Sequence, residues 1–100
     1  MDITKAKFFL KAHGSKLQHL ETFSLMLATA ESNYKNVRLR AKGNKEGIDF
    51  SSKELECAVD LAVLQYLRKY ARLPDNAAEI LLPTTSDEKK LEMAMGWYNA

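Results

Sequence analysis

Apolar residues recur at helical spacing over most of the chain, and Gly and Pro divide it into five or six segments. From Asp2 to His13, Ile3, Ala6 and Leu10 repeat at steps of three and four, which predicts a short amphipathic helix stopped by Gly14. Ser15 and Gln18 form a capping-box pattern that predicts a second helix from Lys16 to about Tyr34. Its inner face is expected to be Leu20, Phe23, Leu27, Ala30 and Tyr34, with Glu31 and Lys35 as a favourable pair one turn apart.

The period then changes. Val37, Leu39 and Ala41 alternate with Arg38, Arg40 and Lys42, as in a half-buried strand. Gly43 to Gly47 is rich in turn residues, and Ile48-Asp49-Phe50 alternates again. The first reading of 36–50 is a two-stranded β-hairpin; the competing one continues the second helix to Lys42, followed by a loop.

Ser51 and Glu54 predict the start of a third helix, with Phe50 and Leu55 as a hydrophobic staple. Acidic residues lie in its first half and Arg68, Lys69 and Arg72 near its end, complementing the helix dipole. Pro74 marks the stop. One apolar stripe is Leu55, Val59, Ala62, Tyr66, Tyr70 and Leu73; Cys57, Leu61 and Leu64 form a second. Two stripes predict a central helix, with 57–67 at the heart of the core. A short helix over 75–82 ends at Pro83. Thr85 and Glu88 cap a last helix from Ser86 to about Tyr98, with Leu91, Met95 and Tyr98 inward and Met93 and Trp97 off that stripe. The expectation is a mainly α, single compact domain spanning 1–100, with four to five helices and the hairpin at about 36–50.

Composition supports one small core. The 100 residues are 46% apolar and 28% charged, with four Gly and two Pro, which fits packing rather than disorder. One cysteine excludes an internal disulfide framework. The longest apolar runs are far below the roughly 20 residues that cross a bilayer. The N-terminal lysines followed by Phe23 to Leu27 are similar to a signal peptide, but the stretch is too short and Glu21 interrupts its approach. A reduced, cytoplasmic protein without a membrane partner is expected.

The net charge of +2 hides a division: residues 1–45 carry +6 and residues 46–100 carry −4. Lys35, Arg38, Arg40, Lys42 and Lys45 form the densest basic segment. On a strand, Arg38, Arg40 and Lys42 would share one face. That face suits phosphate contact with DNA or RNA, an acidic protein partner, or a solvated edge that resists strand pairing. Helices followed by a basic hairpin are similar in arrangement to a winged helix, though no motif specifies a family.

No catalytic constellation is found. His13 and His19 lack metal-ligand spacing. Cys57 sits within an apolar helix and reads as a core residue. Glu56 and Asp60 read as a solvent-facing pair. The glycines form no phosphate loop, and no serine has a nucleophile-elbow context. No cofactor or metal is expected. Adjacent aromatics suggest exposed anchors at Phe8 and Trp97, and Leu61 and Leu64 are candidate homodimer contacts. The leading expectation is a non-enzymatic interaction protein, a small regulator or inhibitor docking on a larger protein or assembly. The alternative is a DNA- or RNA-binding regulator that uses the basic hairpin.

Overall fold

A computed structural model describes the backbone of residues 3–43 and 52–100, with side chains over 3–37 and 53–100. Helix α1 spans Ile3–His13. Gly14 at φ 52° turns the chain into a 3₁₀ segment, Gly14–His19. Helix α2 follows over Glu21–Gly43 and α3 over Ser52–Tyr70. A second 3₁₀ segment, Ala77–Leu81, leads to α4 at Asp87–Tyr98. The described residues are mainly helical and contain no strand.

The centre of the fold is α3, which packs against both α2 and α4. Leu61, Ala62, Val63 and Leu64 are all buried. Four consecutive positions point to every side of a helix, so α3 must have neighbours all round. Phe23, Leu27 and Ala30 of α2 and Met93, Ala94 and Trp97 of α4 fill the core around it. Ile3 and Ala6 bring α1 onto the same core, and Leu17 plugs it from the first 3₁₀ segment. Each fully buried large side chain contributes about 1.5–3 kcal/mol relative to exposure.

The expected hairpin is not formed over 36–43, because α2 continues to Gly43. Val37 keeps the helical step set by Phe23, Leu27, Ala30 and Tyr34, and Arg38-Leu39-Arg40-Ala41-Lys42 is a run of strong helix formers. The second expected strand, Ile48 to Phe50, lies outside the described residues, as do Lys45, the Ser51 cap and the Phe50 side of the staple.

Four further expectations are corrected. Ser15 does not open a long helix. It lies in the 3₁₀ segment, and α2 begins only after Leu20, whose ψ of 126° breaks the helix and whose carbonyl accepts from Ser24 N–H at 3.0 Å. The α4 cap is Ser86, not Thr85; its side chain accepts from the Lys89 amide at 3.2 Å. The inner face of α4 is Met93, Ala94 and Trp97, while Tyr98 points outward at 44% exposure. α3 ends at Tyr70, ahead of Pro74, where Ala71 takes a left-handed φ of 53°.

Candidate functional site

Phe8 is two-thirds exposed, at 66%, on the outer side of α1. It stands edge-on to Phe9, with ring centroids 6.2 Å apart, and Phe9 is edge-on to the buried Phe23 at 6.5 Å. This aromatic series runs from solvent into the core and fixes Phe9 as the inward member of the pair. Lys5, Lys7 and Lys11 are exposed beside Phe8, and Lys16 is exposed on the following 3₁₀ segment. No Asp or Glu occurs between residues 3 and 19. The surface is therefore cationic around one apolar ring.

Next to it lies a groove of about 470 Å³ between α1, α2 and α3. Leu25, Met26, Ala30 and Leu64 supply its apolar lining, and Lys5 stands on the α1 side. Leu25 is 63% exposed although it belongs to a well-packed helix. Thr29 also lines the groove, but its hydroxyl donates to the Leu25 carbonyl at 2.9 Å. That bond occupies the hydroxyl proton within α2. Asp60 completes the α3 side and is not free, being engaged within the fold.

The other expected contact residues lie elsewhere. Leu61 and Leu64 are each 2% exposed and Trp97 is 7% exposed. Their apolar area is covered within the chain, so the second stripe of α3 offers no surface for a dimer, and Trp97 is no exposed anchor. Leu64 lies on the side of α3 that faces α1 and α2, and Trp97 belongs to the buried side of α4, which packs on α3.

The basic segment forms no shared strand face. In the helical register of α2, positions 35, 38 and 42 fall on one side and position 40 on another. Lys45 lies outside the described residues. With no strand over 36–43, the winged arrangement lacks its wing.

A second cationic group lies at the end of α3; the sequence placed its charges there as complements to the helix dipole, but not their contact with the tyrosine rings. The Arg72 guanidinium lies 5.7 Å from the Tyr66 ring centre and 5.9 Å from that of Tyr70, and the two rings are 4.6 Å apart. Arg72 also pairs with Asp75 at 3.0 Å. Lys69 lies 5.3 Å from the Tyr70 ring and donates to the Ala100 carbonyl at 2.6 Å. The left-handed turn at Ala71 folds Arg72 back over the last turn of the helix. These cations already have partners, so the group acts as a clasp on the helix end. A sequence signal existed: Tyr66, Tyr70 and Arg72 lie within two turns of a predicted helix end.

His13 stacks at a tilt on Phe9, with centroids 6.0 Å apart, and His19 is bonded to Gln18 at 3.2 Å. Cys57 is half-buried. Among the described residues, no group of three or more His, Cys, Asp or Glu is placed to hold a metal ion, and no helix is long and apolar enough to cross a membrane. No protein-family model matches the chain, and no curated protein or solved structure is similar enough to count as a relative.

Proposed function

We propose that the protein is a non-enzymatic cytoplasmic interaction domain, a small regulator that docks on a larger protein through the outer side of α1. The observation that carries this reading is the exposed ring of Phe8 among Lys5, Lys7 and Lys11, in a stretch without acidic residues. Burial of such a ring against a partner contributes about 1.5–3 kcal/mol, enough to make it a hot spot. The surrounding lysines select an acidic partner and speed its approach.

The test is a selection of displayed random peptides on immobilised protein. Peptides rich in Asp and Glu around an apolar anchor are expected on the wild type. Phe8→Ser should reduce their retention by about tenfold or more, as for a hot-spot residue. Because Phe8 is exposed, the substitution should leave stability within about 0.5 kcal/mol. No enrichment on the wild type, or equal enrichment on Phe8→Ser, overturns the reading.

The second reading is phosphate contact by the basic end of α2. It stands second because the helical register keeps positions 35, 38 and 42 on one side but moves position 40 to another.

A further inference from the structure

Leu81 and Leu82 are exposed, at 58% and 48%, at the end of the second 3₁₀ segment. The turn that carries this apolar knob is tied together. The amide of Leu82 donates to the Glu79 carbonyl at 3.1 Å, and the Thr85 hydroxyl donates to the same carbonyl at 2.8 Å. Side chains three apart eclipse in a 3₁₀ helix, so the exposed Glu79 shares the edge of Leu82. No Lys or Arg occurs between residues 73 and 88. Asp87, Glu88 and Glu92 are exposed on the first turns of α4. Of the lysines there, Lys89 is exposed, while Lys90 is half-buried one turn before the buried Met93 and Ala94. The knob therefore sits in a net negative stretch.

An apolar anchor among carboxylates is what the α1 surface selects. Phe8 stands between Lys5 and Lys11, three residues away on either side. Both patches are exposed within one chain, so neither covers the other. A second copy can bring them together, and charge fixes which patches meet. Phe8 against Phe8 would face lysines with lysines. Leu81-Leu82 against itself would face carboxylates with carboxylates. Like charges across an interface oppose association, and only the unlike pair is complementary.

We propose that the protein self-associates head to tail, with the Leu81-Leu82 knob of one copy seated on the Phe8 face of the next. The contact is heterologous, so each added copy presents a further free patch. It is small, and the association is transient. This rests on the interaction reading above and names one occupant of that site. At high concentration the chain itself covers the surface that a larger partner needs.

Sedimentation velocity tests the inference. The weight-average sedimentation coefficient of the wild type should rise between about 10 μM and about 1 mM, as for a small transient interface. The rise should shrink from about 50 to about 500 mM salt, because salt screens the opposed charges. Phe8→Ser and the double variant Leu81→Ser, Leu82→Ser should each stay monomeric. Mixed in equal amounts, they should form dimers that grow no further, since each pair holds one intact patch of each kind. Glu79→Lys, at an exposed position, should weaken the association alone without touching the core.

A coefficient that stays flat up to about 1 mM, or a rise unchanged in Phe8→Ser, overturns the inference. Loss in both serine variants without recovery in their mixture would assign a symmetric contact and also overturns it. Phe8-dependent acidic peptides in the displayed selection, with no self-association, would overturn the head-to-tail contact while the α1 reading stands. Neither peptides nor self-association would overturn both.

Discussion

The indole Nε1 of Trp97 donates to Oδ1 of Asn76 at 2.8 Å. The bond ties α4 to the start of the second 3₁₀ segment, 21 residues earlier in the chain. A buried indole needs an acceptor for its N–H, and Asn76 supplies it. Asn76→Ala should therefore lower stability by about 1–3 kcal/mol, because it strands a largely buried donor. Asn76→Asp keeps an acceptor and should lose less. Trp97 is the only tryptophan, so urea unfolding followed by its fluorescence reads both variants directly.

Two left-handed residues make opposite predictions. Ala71 has φ 53° and Gly14 has φ 52°. An L side chain in this region costs roughly 1–2 kcal/mol, whereas glycine enters it without that penalty. Ala71→Gly should stabilise the protein by up to about 1 kcal/mol, after subtracting glycine's larger loss of chain entropy. Gly14→Ala should destabilise it by roughly 1–2 kcal/mol. A Cβ added at Gly14 meets nothing within 4 Å, so that cost is backbone strain and not a clash. Shifts in the urea midpoint with unchanged slope would show both effects.

The legible parts of the fold were those where several signals agree. In α3, dipole-ordered charges and two apolar stripes all point to a central helix, and Leu61 to Leu64 are buried as that requires. In α4 the pattern is ambiguous in phase. Leu91, Met95 and Tyr98 repeat at helical spacing, but so do Met93, Ala94 and Trp97. The second set places the large indole and the fully buried Ala94 inward, and that packing is a tertiary choice invisible to periodicity. At 37–42 two periods coincide over a few residues. Alternation alone suggests a strand, while the propensities of Arg38 to Lys42 favour the helix that forms. For the candidate site, an exposed member of the Phe8-Phe9 pair was legible only as one of two readings, since a helix with neighbours on several sides buries consecutive residues, as α3 does at Leu61 to Leu64. The groove was not, because it depends on how α1 and α3 sit against α2.

The helical course of 36–43 bears on nucleic-acid binding. A strand would have aligned Arg38, Arg40 and Lys42, whereas the helix separates position 40 from 38 and 42. Fluorescence anisotropy with mixed-sequence oligonucleotides at about 50 mM salt should show at most weak binding, equal for wild type and the Arg38→Ala, Arg40→Ala double variant. Binding that collapses between about 50 and 200 mM salt, as phosphate contacts do, and disappears in the double variant would reverse the order of the two functional readings.

Leu61 and Leu25 are both helical leucines with opposite surroundings, at 2% and 63% exposure. Leu61→Ala should cost about 2–5 kcal/mol, because it leaves a cavity inside the core of the single chain. Leu25→Ala should change stability by no more than about 0.5 kcal/mol. If Leu61 were instead buried only through a dimer, its loss would depend on protein concentration. Denaturant unfolding of Leu61→Ala at two concentrations about a hundredfold apart should give the same midpoint. A midpoint that rises with concentration would place Leu61 in an interface between copies and overturn the single-chain account of the core.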